Sequence, residues 1–354
     1  MTPPALRLGT RGSALARTQS ATVAAAVTAS IGRVVELVKV TTVGDRSAAA
    51  IAQLGGTGVF VTAVRDALLA GEVDLAVHSY KDLPTAPAAG LRLAAVPPRA
   101  DARDALVARD GLTLGELPVG ARVGTGSPRR TAQLRALGLG LDVVGVRGNV
   151  DTRLAAVAGG RLDAVVLARA GLERLGRLGA VTETLDPLSM LPAPAQGALA
   201  VECPVGHDTD EDLLRALVAL DHVDTRAAVA AERALLATLE AGCTAPVGAY
   251  ADVAEGDDGP EIFLRAVVTA IDGSAEIRLS ATGPPAAPEE LGRRLAARML
   301  DRGAAALLAS GGTSAVAARA GRARTLAPAS TPASTPASTP ASTSASTSAG
   351  RAHD

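Results

Sequence analysis

The chain has 354 residues, a formal net charge of −1, no tryptophan and an aromatic content of 1%. That length holds two or three domains with real cores. The scarcity of aromatic side chains argues against a base-stacking nucleic-acid binder, and the balanced charge argues against a broad basic footprint.

The N-terminus shows no signal-peptide pattern, since Arg7, Arg11 and Arg17 interrupt each apolar stretch, and no uninterrupted apolar run is long enough to span a bilayer. The expectation is a soluble, cytoplasmic protein. The two cysteines, Cys203 and Cys243, are far apart and lack metal-ligand spacing, so neither a metal site nor a disulfide is expected.

Leu6-Arg7-Leu8-Gly9 reads as a strand. It runs into Thr10-Arg11-Gly12-Ser13 and then a helical stretch from Ala14 to about Ala29. A strand, a small-residue turn and a helix N-terminus make an anion site, because unpaired backbone N–H groups and the helix dipole face the turn. Arg11 and Ser13 add side-chain donors. Ser13 also fits a plain N-cap, and both readings stand. Val34 to Thr42 is a second strand, and Gly44 to Thr57 reads as a mobile loop, a candidate lid. Val59 to Leu69 has helical spacing.

Val73 to Val77 is a short apolar run of the kind that forms a buried parallel strand. The chain then turns polar, and Pro84 stops any continuation. This places His78, Ser79, Lys81 and Asp82 just past the carboxyl end of a strand, the edge where open α/β sheets bind ligands. Lys81 and Asp82 supply a fixed cation and a proton-handling carboxylate. A solvated strand-to-loop junction is the other reading. Strand, helix, strand, helix, strand is a parallel α/β pattern.

A second α/β unit begins near Asp104-Ala105-Leu106-Val107, after Pro97-Pro98. Ala121-Arg122-Val123 leads into Gly124-Thr125-Gly126-Ser127-Pro128-Arg129-Arg130, a second strand–turn–helix device with proline at the helix start. Adjacent arginines there oppose the helix dipole, which suggests that Arg129 and Arg130 answer to an anion; a solvated basic helix face is the alternative. Arg147 follows the strand Leu141 to Val144, Arg153 lies in the next helix, and Arg169 and Arg174 follow a strand ending at Leu167. Guanidinium groups at several strand ends, in a chain with no net positive charge, fit a cleft for a small polycarboxylate.

Pro192 to Ala198 is a stiff crossover, and Leu199 to Val201 reads as a strand returning to the first sheet. Cys203 is read as a packing residue. Asp221 to Leu239 is a helix with Gly242 as the expected breaker, which leaves Cys243 on an exposed loop as a candidate nucleophile or attachment point. Val247 to Val253, Ile262 to Val268 and Ile277 to Ala281 are alternating strands, and Glu289 to Leu308 is a helix, together a small α+β unit. Beyond about Ala327 the Pro/Ala/Ser/Thr repeats cannot bury apolar surface and read as disordered.

The stretches LRLGTRGSALA, GVFVTAVRDALLAGEVDLAVHSYKDLPT, VGTGSPRR, VRGNVDTRL, LARAGLERLG, PAPAQGALAVEC and AERALLATLEAGCTAPVGAYA, in this order, resemble the porphobilinogen deaminase (hydroxymethylbilane synthase) family from Leu6 to about Leu308. The resemblance implies an α/β fold: two periplasmic-binding-protein-like α/β domains plus a small α+β C-terminal domain. The implied division is 1–97 with 198–219, 98–197, and 220–312, followed by a tail at 313–354. It also implies a transferase of tetrapyrrole and heme biosynthesis that condenses four porphobilinogen molecules, releasing ammonia, on a covalent dipyrromethane cofactor.

On this resemblance the cofactor is attached through a thioether at Cys243. The catalytic aspartate falls on Asp82, with Lys81 beside it. Carboxylate-binding positions fall on Arg11, Ser13, Thr125, Ser127, Arg129, Arg130, Arg147, Arg153 and Arg174, and Gln196 lies in the matching crossover. Each porphobilinogen carries two carboxylates, so an arginine-lined cleft suits the growing chain. A carboxylate beside the pyrrole nitrogens stabilises the positive charge that develops there. The chain departs from the family at Gln53 and Thr57, where lysines are common, at Tyr80, where Met or Leu is common, and at Gly126, where Ser is common.

The implied partner is porphobilinogen, with no nucleic acid and no membrane, and the implied state is a monomer. The competing reading is a non-catalytic two-domain protein that binds a carboxylate or a tetrapyrrole. Such a protein would share the strand-end arginines but have no need of Cys243 or the third domain.

Overall fold

The computed structural model describes residues 4–40, 58–206, 210–242, 244–257 and 259–309. The loop read from Gly44 to Thr57 with its Gln53, the thiol of Cys243, and the tail from 313 onward lie outside the described residues.

The first sheet is entered through β1 (Leu6–Thr10), α1 (Ala14–Ile31), β2 (Val35–Lys39), α2 (Gly58–Leu69), β3 (Leu75–Ser79) and β4 (Leu91–Ala95). The chain then crosses to a second sheet. This contains β5 (Asp104–Ala108), β6 (Arg122–Thr125), α3 (Pro128–Ala136), β7 (Asp142–Gly145), α4 (Val150–Ala158), β8 (Ala164–Ala168), α5 (Arg169–Arg174) and β9 (Glu183–Thr184). It returns as β10 (Leu199–Pro204) and α6 (Glu211–Leu220). A third layer follows: α7 (Val223–Thr238), β11 (Val247–Gly256), β12 (Gly259–Thr269), β13 (Glu276–Gly283) and α8 (Pro288–Asp301).

The two five-stranded sheets share one topology. Their orders are β2-β1-β3-β10-β4 and β7-β6-β8-β5-β9. In each, three parallel strands adjoin one antiparallel strand, β10 or β5, delivered by the chain as it arrives from the other sheet. The architecture is thus two α/β units of like topology plus a three-stranded antiparallel sheet with helices. The central strands β3, β5 and β8 are nearly continuous apolar runs because helices cover both faces.

In the first unit, Leu8, Val23, Val27, Leu75, Val201 and Leu217 pack together. In the second, Leu106, Val123, Leu134, Val166 and Met190 fill one face of the sheet. In the third layer, Leu235, Leu264, Leu291, Leu295 and Met299 join α7 and α8 to the sheet. Among the described residues no helix is long and apolar enough to cross a membrane.

Several elements differ from the sequence reading. β4, α5, β9 and α6 were not anticipated. β4 is short and followed by prolines, and α6 lies against a stretch rich in acidic residues. The chain leaves α7 through Glu240, which adopts a left-handed φ of 50°, rather than through Gly242.

The closest approach in the third layer is between α7 and α8. A Cβ on Gly292 would run into the Ala231 carbonyl oxygen and lie 2.8 Å from Ala234 Cβ. Gly292→Ala is therefore expected to cost about 1–3 kcal/mol through overpacking. A fall in Tm measured by thermal denaturation checks it, and an unchanged Tm would mean that the two helices separate freely.

Candidate active site

Parallel pairing puts the carboxyl ends of β1 and β3 at one edge of the first sheet, and those of β6, β7 and β8 at one edge of the second. Both sets of sequence-marked residues follow these ends.

At the first edge, Ser13 caps α1, its Oγ accepting from the Ala16 amide at 3.3 Å, and it remains exposed. Arg11 is half-buried in the same turn. Lys39, at the end of β2, packs its stem over Gly12, within 2.8 Å of where a Cβ would stand. That brings a further cation beside Arg11.

His78 and Ser79 belong to β3 rather than to the loop beyond it. The reason is β10, whose ladder continues through Ala200↔His78 and Leu199↔Ser79. The His78 ring faces inward, Nε2 lying 3.2 Å from Glu202, and Arg65 forks the same carboxylate at 2.9 and 2.7 Å. Burial pushes the Glu202 carboxyl up, but the adjacent His78 ring and the Arg65 fork outweigh it and hold it at about 2. Ser79 Oγ exchanges hydrogen bonds with the Gln19 amide at 2.9 and 3.2 Å.

Past the strand, Tyr80–Asp82 forms a single 3-10 turn. Asp82 is exposed, and Lys81 is half-buried with its Nζ donating to Gln196 Oε1 at 3.2 Å. Burial lowers the Lys81 ammonium to about 8. The Asp82 charge opposes that shift, Arg130 reinforces it, Asp104 opposes it and Arg129 reinforces it. Lys81 therefore sits within electrostatic reach of the second unit's arginines.

At the second edge, Thr125 is buried, and its Oγ1 accepts from the Ser127 amide at 3.2 Å. Ser127 holds the N-cap position of α3, but its side chain caps no amide. Arg129 and Arg130 are 3% and 5% exposed, which rules out a solvated basic face. Their anion inside the protein is Asp104, fully buried at the start of β5. Arg129 Nη2 donates to it at 2.8 Å, Arg130 Nη2 at 2.7 Å and Gln196 Nε2 at 2.7 Å. Burial pushes the Asp104 carboxyl up, yet the two arginine charges and the hydrogen bonds from Arg130 and Gln196 hold it well below the usual carboxylate range. Arg129 also donates to the Leu191 carbonyl at 2.5 Å, and Arg130 to that of Val166 at 3.1 Å.

Arg147 is exposed and makes no hydrogen bond or ion pair among the described residues. Arg153 donates Nε to the Gly148 carbonyl at 2.9 Å; burial, then the Arg130 charge, lowers its pKa. Arg174 donates Nη2 to the Gly197 carbonyl at 2.6 Å, and burial lowers its pKa against the opposing charge of Glu173. Leu15, in the first turn of α1, reaches α5, lying 3.8 Å from where a Cβ on Gly171 would stand.

The donor set fits a polycarboxylate. Arg147 and Arg153 carry no carboxylate partner among the described residues, and the Nε atoms of Arg129 and Arg130 are buried without an acceptor there. The Ser127 side chain leaves the first-turn amides of α3 uncapped. A Cβ on Gly126 would lie 2.9 Å from the Val146 carbonyl oxygen and 3.6 Å from Arg153 Nη2, so glycine lets this turn pack closely against the end of β7 and the Arg153 guanidinium.

Sequence reasoning passed over Asp104, Arg99, Glu232 and Arg233. The legible signal for Asp104 was a carboxylate opening a wholly apolar strand, Asp104-Ala105-Leu106-Val107-Ala108, which demands a buried counter-charge.

Residues 6–212 match the family model described as "Porphobilinogen deaminase, dipyromethane cofactor binding domain", and residues 226–301 match "Porphobilinogen deaminase, C-terminal domain". The chain is 59% identical over 321 residues to a porphobilinogen deaminase of Nocardia farcinica, covering 89% of this chain and 91% of that one. It is 61% identical over 308 residues to a porphobilinogen deaminase of Mycobacterium bovis, covering 86% and 98%.

Asp104→Asn is expected to cost about 3–5 kcal/mol, since two buried guanidinium groups lose their counter-charge. The wild-type contribution is complete above the unfolded carboxyl's 3.8 and is lost as pH falls below it, because the folded carboxyl titrates lower. Denaturant titrations of both proteins from pH 7 to 3 check the size and the sign. A variant as stable as wild type at pH 7 would mean that the arginines find another anion.

Proposed function

The chain belongs to the porphobilinogen deaminase family, and from that premise we propose how its residues carry the reaction. It is a transferase that condenses four porphobilinogen molecules head to tail into the linear tetrapyrrole hydroxymethylbilane, releasing ammonia, on a dipyrromethane primer. We propose Asp82 and Lys81 as the catalytic pair and Cys243 as the point of attachment. The observation that supports this reading is the exposed Asp82 carboxylate beside Lys81, whose ammonium feels the charges of Arg129 and Arg130, with Arg130 in turn within reach of Arg153.

When bound, the dipyrromethane supplies a nucleophilic α-carbon. Arg11, Ser13, Thr125, Ser127, Arg147, Arg153 and Arg174 are proposed to hold the acetate and propionate groups. Arg129 and Arg130 add positive potential while staying fixed to Asp104. Asp82 is proposed to stabilise positive charge at pyrrole nitrogens and to take and return their protons. Lys81, lowered to about 8, stays mostly charged at neutral pH, where its ammonium balances the Asp82 carboxylate.

The proposed division is 1–97 with 198–219, 98–197 and 220–312, with 313–354 as a tail. The proposed setting is the cytoplasm, and the proposed state a monomer.

Asp82→Asn is expected to keep the fold and the attached primer while lowering turnover by about 10²–10⁴. Steady-state assays with porphobilinogen check it, and near-normal turnover would remove Asp82 from the mechanism. Intact mass tests the attachment. The wild type is expected to exceed its chain mass by two linked pyrrole units, and Cys243→Ser is expected to match the bare chain. If the wild type lacks the adduct even after incubation with porphobilinogen, the attachment proposal falls.

A further inference from the structure

Helix α7 grips two parts of the molecule with successive residues. Glu232 faces the crossovers: Arg99 forks it at 2.7 and 3.0 Å, and the Ala195 and Ala251 amides donate to it at 2.5 and 2.7 Å. Arg233 reaches to the catalytic turn. Its Nη1 donates to the carbonyls of Leu83 at 3.0 Å and Tyr80 at 3.4 Å, and its Nη2 donates to that of Pro84 at 2.6 Å. The guanidinium also lies over the Tyr80 ring, 4.4 Å from its centroid.

These acceptors bracket Lys81 and Asp82 on both sides. The turn itself is weakly built. It has one closing backbone bond, Leu83 N to Tyr80 O at 3.2 Å, and no side-chain cap from Ser79. Its carbonyls need donors, and the planar arginine fork supplies several at once in a way a lysine cannot. Tyr80 is buried at 8% exposure, so the stacked cation is shielded on that side from water. Helix α7 ends at Thr238, five residues before Cys243.

We propose that Arg233 is a positioning residue for the reaction. It fixes the Lys81–Asp82 turn to the helix that leads into the attachment segment, so carboxylate and primer share one frame. This rests on the reading of Asp82 as the catalytic carboxylate.

The test uses the purified, primer-loaded full chain as Arg233→Met, Arg233→Lys and Tyr80→Leu, with Asp82→Asn alongside. Arg233→Met is expected to lower kcat by about 10- to 100-fold, the scale of a displaced catalytic group, with KM for porphobilinogen within about 3-fold of wild type. Its intact mass is expected to show the same adduct as wild type. Amide exchange is expected to quicken at 81–85 while α7 stays protected. Arg233→Lys, which keeps the charge but not the fork, should lie closer to Met than to wild type. Tyr80→Leu keeps the carbonyl bonds and should lose about 2- to 5-fold.

A kcat for Arg233→Met within twofold of wild type overturns the inference. So does a loss that tracks missing adduct or unfolded protein, because the role would then be structural. If Asp82→Asn itself turns over normally, the catalytic reading fails first, and the two failures are told apart by that control.

Discussion

A carboxylate with no exposed surface must be fully partnered, and Glu232 is the one on which the three layers converge. Its four hydrogen bonds come from different parts of the chain. Arg99 lies in the segment entering the second sheet, Ala195 in the segment leaving it, and Ala251 on β11. Removing any donor leaves a buried charge short of a partner, so the positions of both crossovers and of the third sheet are fixed against α7 by one side chain. Arg99 extends the junction, donating Nε to the Gln196 carbonyl at 2.8 Å and lying 5.3 Å from the centroid of the Tyr250 ring.

A second buried carboxylate governs the site's charge. Asp104 balances two arginines that would otherwise repel each other and destabilise the start of α3. The cations thus divide by burial. Arg129 and Arg130 share the single carboxylate of Asp104, which holds them in place and leaves one positive charge over, while Arg147 and Arg153 retain capacity for an external anion. A fixed positive background with a few open guanidinium groups suits a ligand whose negative charge rises as it grows, since each new carboxylate enters a field already set by folding.

The broad architecture was legible because it rests on local patterns. Apolar runs of four to six residues gave the buried strands, and small-residue turns before helices marked both edges. What stayed hidden depends on long-range pairing. His78 and Ser79 look polar enough to end a strand, yet β10, more than a hundred residues later, extends the ladder through them. Arg129 and Arg130 signalled an anion through their conflict with the helix dipole, but nothing local says that the anion is Asp104. Gly242 is the better left-handed residue by propensity, yet the turn falls at Glu240, where the Ala241 amide closes on the Leu236 carbonyl at 3.2 Å. Arg233 sits in an ordinary helical stretch, and only the meeting of α7 with the turn at 80–84 gives it a role.

The strongest constraint on the site is that its contacts close on themselves. Lys81 donates to Gln196; the Gln196 carbonyl accepts from Arg99; Arg99 forks Glu232; and Arg233, the next residue, holds the carbonyls on either side of Lys81. Ala195 stands inside this ring with a left-handed φ of 60°, a conformation costing a non-glycine residue about 1–2 kcal/mol. It persists because its amide is committed to Glu232. A hydrogen bond to a charged group contributes about 1.5–3 kcal/mol, so the ring outweighs that strain. Displacing the turn relative to the crossover must break at least one such bond. The turn that carries Asp82 is therefore held not by its own single closing bond but by a closed circuit of polar contacts that ties it to the crossover segments and to α7.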